Sequence, residues 1–132
     1  MEKKLTIAIM DAPYESPNTA TAFRLIEAAL KKGVAVDVFA YEGAVSLTMK
    51  GQQQHANPVK GTTVEQEEHP TPKGMVERLL KMGKLNWVNC GLCVDERGAG
   101  DWIEGVKRGG PPDFVKMLQE STNAVVIPTY AR

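Results

Sequence analysis

The chain has little of what marks several common protein classes. Sixteen basic residues balance sixteen acidic ones, so no global field draws it to nucleic acid or to an anionic membrane. Long hydrophobic runs are missing too. The N-terminal Met-Glu-Lys-Lys-Leu-Thr-Ile-Ala-Ile-Met places two lysines before apolar residues, but it is too short for a signal segment or a membrane span, and Asp11 follows it. It reads as the first strand of a cytoplasmic protein with no membrane partner. Cysteine is limited to Cys90 and Cys93, a poor disulfide framework; a Cys-x-x-Cys in a reducing compartment is more often catalytic, redox-active or metal-binding. Histidine is as scarce, with only His55 and His69. A zinc site would need both beside the cysteines, and they lie too far apart in sequence to form a compact ligand hairpin. The sequence therefore predicts no metal and solvated histidines.

What is present is an ordinary globular composition. At 132 residues, 42% hydrophobic and 24% charged, residues 1–132 make one domain that can bury a real core without staples. Leu5 to Met10 is an almost wholly apolar run, the pattern of a strand covered on both faces. From Thr19 to Lys32, Ala22, Phe23, Ile26, Ala29 and Leu30 recur at helical spacing, with Asn18 or Thr19 as cap and Gly33 past the end. Val34 to Phe39 is a second strand, which gives the order of a right-handed βαβ unit.

Glu42 to Lys50 fits a short helix. Residues 51–71 are polar and without period, which predicts a lid, a partner-contacting loop or a flap. Thr71-Pro72 opens a helix whose buried side is Met75, Val76, Leu79, Leu80 and Met82, and Gly83 stops it. A strand from Leu85 to Val88 leads to the cysteines. Residues 99–110 are glycine-rich and ambiguous, Pro111-Pro112 starts a helix with Phe114, Val115 and Leu118 inward, and Ala124 to Ile127 is a last strand. Four strands are evident and a fifth is not, so the fold class is α/β with a mostly parallel central sheet of four to five strands.

Chemistry concentrates at Leu85 to Gly98. If the chain turns helical after Asn89, then Cys90, Cys93 and Arg97 stand at i, i+3 and i+7 on one face. The thiolate is the reactive form of cysteine, and unoccupied amides at a helix start together with a guanidinium favour it. Asp95 and Glu96 oppose it, so Arg97 is expected to face the sulfurs and the acids to point away. In open α/β sheets ligands sit at the carboxyl ends of the strands, where the loops at Asp11–Asn18, Tyr41–Gly43 and Asn89–Gly98 should meet. Ser16, Thr19 and Thr21 offer hydroxyls to a flavin phosphate, yet their loop has no glycine for close backbone approach, so no cofactor is expected. Trp87 and Trp102 read as core or subunit-contact aromatics. The plain alternative for the cysteines is a pair of small buried hydrophobes, and a thioredoxin-type motif is a third reading, set back by Asn89 where an aromatic would precede the pair.

The segment Cys90-Gly-Leu-Cys93-Val-Asp-Glu-Arg97-Gly98 resembles the Cys-Gly-x-Cys-x-x-x-Arg-Gly version of the DsrE/DsrF-like family of small sulfur-relay proteins, and in particular its TusD-like members. The resemblance covers most of the chain: Pro13 and Tyr14 after the first strand, Tyr41-Glu42-Gly43 after the second, and the helix ending at Gly83 before the cysteine strand. When the Arg-Gly pair is aligned, the single cysteine of TusD-like members falls on Cys90, which implies that Cys90 bears the persulfide. The resemblance further implies a flavodoxin-like three-layer sandwich, assembly as a homotrimer or homohexamer, and sulfane sulfur passed between donor and acceptor proteins. A sulfur carrier or sulfurtransferase acting through Cys90, Cys93 and Arg97 is the resulting expectation. Its rivals are a non-catalytic oligomeric interaction module and a Cys-x-x-Cys dithiol redox protein.

Overall fold

Five strands run parallel in one sheet, in the spatial order β4-β3-β2-β1-β5. The computed structural model describes residues 2–53, 59–63 and 71–129. In chain order the elements are β1 (Lys4–Ile9), α1 (Asn18–Lys31), β2 (Ala35–Ala40), a 3-10 helix (Glu42–Thr48), α2 (Pro72–Lys81), β3 (Leu85–Cys90), α3 (Gly91–Arg97), β4 (Val106–Gly109), α4 (Pro111–Glu120) and β5 (Asn123–Ile127). Strand alternation divides the interior into two cores. Ile7, Val36, Val38 and Trp87 face Ala22, Phe23 and Ile26 of α1, Leu47 of the 3-10 helix, and Val76 and Leu79 of α2. On the opposite face Phe39, Val88 and Cys90 meet Cys93 and Val94 of α3 and Met117 of α4. The result is a flavodoxin-like three-layer α/β sandwich.

The expected helices and strands form where their patterns place them, with local adjustments. Thr71 caps α2 by accepting the Gly74 N–H at 3.1 Å, and Pro72 occupies the first helical position. The α1 start differs from the expected cap at Asn18 or Thr19. The helix begins at Asn18 itself, Pro17 precedes it without a side-chain cap, and the Ser16 hydroxyl accepts the Asn18 N–H at 3.1 Å. The strand hidden in residues 99–110 is β4, only four residues long and carrying exposed Lys107 and Arg108. Short, charged edge strands discourage pairing with another chain, and that same design erases the apolar pattern by which a strand is recognised. Inward-facing Val115 and Leu118 were expected on α4, but both are exposed, and Phe114 and Met117 pack against the sheet instead.

Topology locates the functional end. Successive connections carry the chain from β1 outward to β4, after which α4 crosses back to place β5 on the other side of β1. This reversal opens a crevice outside the carboxyl ends of β1 and β5, where open α/β sheets bind ligands.

Candidate functional site

The last turn of β3 is built around a buried amide. Asn89 is fully buried, accepts the Trp87 Nε1–H at 3.2 Å and donates Nδ2–H to the Thr48 hydroxyl at 2.9 Å. Trp87 itself is a core residue, also fully buried, and Trp102 packs against both cores. β3 is thereby tied to the 3-10 helix one residue before its end. Cys90 closes the strand in an extended conformation, and α3 starts at the next residue. Cys90 and Cys93 are therefore separated by one helical turn, with Arg97 at the end of α3 and Gly98 past it in the left-handed conformation, φ 61°.

Both thiols are free and nearly covered, at 9% and 8% exposure. They are not equivalent. The Cys90 side chain makes no capping hydrogen bond to α3, so the expected help from helix amides does not take that form. The amide that does reach sulfur belongs to Glu42, whose N–H donates to Cys93 Sγ at 3.1 Å. Burial pushes the Cys93 thiol above its ordinary value; the Glu42 N–H pulls it down, and the adjacent Cys90 sulfur and the Glu42 carboxylate push it up again. Glu42 adopts φ 52°, an uncommon conformation for a residue with a side chain and one that concentrates at functional sites.

Arg97 approaches the pair through Glu42. Its Nη2 lies 3.3 Å from the Glu42 carboxylate and its Nη1 lies 3.8 Å from Glu96. Arg97, which the sequence led us to expect facing the sulfurs, is engaged by these two carboxylates. Arg108 of β4 also reaches the site, through a two-pronged ion pair with Asp95 at 3.0 and 2.7 Å. Sequence reasoning missed Arg108 because its strand was not visible. It missed Glu42 because a backbone amide carries no residue-type signal.

The three expected loops do meet. Asp11, Glu42, Gly43, Arg97 and Thr129 line an open cleft of about 520 Å³ at the β1–β5 reversal. Asp11 accepts from the Ser16 hydroxyl through Oδ2, and its buried Oδ1 has no partner. Cleft and dithiol share a wall, since Glu42 lines the one and holds Cys93 in the other. His55 and His69 lie outside the described residues, as does most of the 51–71 loop. Among the described residues no group of three or more His, Cys, Asp or Glu is spaced for a metal ion, and no helix is long and apolar enough to cross a membrane.

The model of the DsrE/DsrF-like family matches residues 3–127. The chain belongs to the DsrE/DsrF-like family. Relatives of this member include the uncharacterized protein MK0008 of Methanopyrus kandleri, 32% identical over 123 residues that cover 92% of this chain and 91% of the other. A second is the uncharacterized protein MJ0989 of Methanocaldococcus jannaschii, 31% identical over 124 residues covering 92% and 97%. In fold, this DsrE/DsrF-like chain is similar to the crystal structure of the ychN protein from E. coli, with a TM-score of 0.72 at 22% identity over 96% of this chain and 99% of that one.

The Asn89 link generates a stability prediction. Asn89→Ala strands the Trp87 N–H in the core and removes a donor from the Thr48 hydroxyl, which keeps its bond to the Val45 carbonyl, and should cost about 2 kcal/mol in urea unfolding, whereas truncation of the exposed Leu92 should cost at most about 0.5 kcal/mol.

Proposed function

We propose that this family member is a small cytoplasmic sulfur carrier or sulfurtransferase that holds sulfane sulfur as a persulfide on Cys90. The observation that carries the reading is the pairing of two free, inequivalent thiols one helical turn apart, on a wall shared with an open cleft. In the loading step the Cys90 thiolate attacks the outer sulfur of a donor persulfide. The donor S–S bond breaks, a new one forms at Cys90, and the donor leaves as its thiol. Cys93, whose raised pKa keeps most of it protonated at neutral pH, then gives up its proton and attacks the Cys90 Sγ as the thiolate. The Cys90 S–S bond breaks, the outer sulfur takes up the proton and leaves as hydrogen sulfide, and a Cys90–Cys93 disulfide remains, which a thiol reductant reopens. Arg97 neutralises Glu42, whose carboxylate otherwise opposes negative charge at the sulfurs. Thiols alone perform this chemistry, so the proposal needs no metal or organic cofactor.

Homo-oligomerisation, as a trimer or hexamer, is part of the proposal. β5 is exposed along most of its length, and Val125 and Val126 on it, with Val115 and Leu118 on α4, leave apolar surface uncovered at that edge of the sheet. Light scattering at micromolar concentration should give three or six times the chain mass; a monomer would defeat this part. Sulfur donor and acceptor proteins are the proposed partners, and nucleic acid is not among them.

Intact-mass measurement after one equivalent of a persulfide donor tests the chemistry. Wild type should gain one sulfur atom briefly, Cys90→Ser should gain none, and Cys93→Ser should hold its adduct several-fold longer while releasing less sulfide. A non-catalytic module would give no adduct in any of the three. A dithiol redox protein would cycle through its disulfide without carrying sulfane sulfur.

A further inference from the structure

At Gly91, the residue directly after Cys90, the space a side chain would take is held by the Arg108 guanidinium. A Cβ there would lie 2.7 Å from both Cζ and Nε of Arg108 and 2.8 Å from its Nη2. The guanidinium thus rests against the backbone of Gly91. Strand pairing delivers it: β4 runs parallel to β3 with Arg108 opposite Asn89 and Gly109 opposite Cys90. Asp95, one turn along α3, then fixes it through two hydrogen bonds, Nη1 to Oδ1 at 3.0 Å and Nη2 to Oδ2 at 2.7 Å. That two-point grip needs a planar fork and is closed to lysine.

We infer that Arg108, clamped by Asp95 against Gly91, is the cation that stabilises the anionic sulfur of Cys90, both as the free thiolate and as the persulfide. The persulfide half of this inference rests on the sulfur-carrier reading; the thiolate half does not. Charge coupling agrees with the geometry: the Arg108 guanidinium is held above its ordinary pKa by hydrogen bonding and attraction to Asp95, against a small desolvation, with the ionised Cys90 adding to the rise. Asp95 is correspondingly lowered, chiefly by its hydrogen bonds to Arg108. The other charged and titratable groups around the dithiol are Cys93 on α3, Glu42 at the start of the 3-10 helix with Tyr41 just ahead of it, and Asp113 at the start of α4. The last of these packs against Gly109, where a Cβ would lie 2.8 Å from its Oδ2. None of these groups is cationic; Arg97 is engaged by Glu42 and Glu96, whereas the Arg108 guanidinium lies against the residue that follows Cys90.

Removing Asp95 would both delete an opposing charge and release the clamp, so the decisive variants are those of Arg108 itself. The measurement is the rate of iodoacetamide alkylation of Cys90 from pH 6 to 10, in a Cys93→Ser background that removes the coupled thiol. Arg108→Gln should slow alkylation at pH 7 at least threefold and move the midpoint of the profile to higher pH. Arg108→Lys, which keeps the charge without the two-point grip, should restore only part of the Arg108→Gln loss. High salt should shrink these differences, because the Arg108 side chain is 52% exposed. An unchanged profile in Arg108→Gln would overturn the inference. Persulfide loading of the same proteins separates the two readings. A profile that moves as expected without any adduct sinks the carrier reading and leaves Arg108 in its role, whereas an adduct with an unmoved profile removes Arg108 alone.

Discussion

The buried side chain of Asn89 is the constraint on which the site depends. Its amide joins the Trp87 indole to the Thr48 hydroxyl across the interior, so the end of β3 and the 3-10 helix are positioned together. Leaving the Trp87 N–H or the Asn89 amide unpaired in the core is costly, and that cost holds the Cys90 turn in register with Glu42. Everything the sulfurs experience follows from this registration: the Glu42 amide at Cys93, the Arg97 pair behind it, and the cleft on the far side of Glu42.

Two thiols one turn apart would be interchangeable on an isolated helix. Here they are separated by backbone chemistry. Cys90 ends a strand and takes no cap hydrogen bond, while Cys93 lies within α3 and accepts a backbone N–H from another element. Burial is almost the same for both, so accessibility does not distinguish them. What distinguishes them is their surroundings: Cys93 faces the Glu42 amide and carboxylate, whereas Cys90 ends its strand next to Gly91 and the Arg108 guanidinium that lies there.

Much of this architecture was legible in the residues, for definite reasons. The apolar runs at Leu5–Met10 and Val34–Phe39 have no polar residue except those on the second core face, and the 3.6-residue spacing of Ala22, Phe23 and Ile26 admits one helix. The meeting of three loops follows from the rule for open parallel sheets, and the shared turn of Cys90 and Cys93 from spacing alone. What stayed hidden depends on pairing between distant segments. Lys107 and Arg108 look like a solvated loop until β3 is beside them, and α4 turns Phe114 and Met117 inward where its pattern also allowed Val115 and Leu118. The role of Asn89 is visible only once Thr48 is known to face it. An uncharged amide at a sheet-facing position, two residues after a tryptophan, was the available signal.

The central claim is that the fold makes the two cysteines unequal, and site-resolved alkylation of the wild-type protein tests it most directly. Peptide mapping after brief exposure to a small alkylating reagent, across a pH series, reports each thiol separately. Because the Cys93 pKa is raised, its thiolate is scarce at neutral pH and grows only as pH rises beyond the ordinary thiol value. The account predicts Cys90 modified first at pH 7, with Cys93 following only in alkaline solution. Equal labelling of the two at every pH, or Cys93 labelled ahead of Cys90, would contradict it.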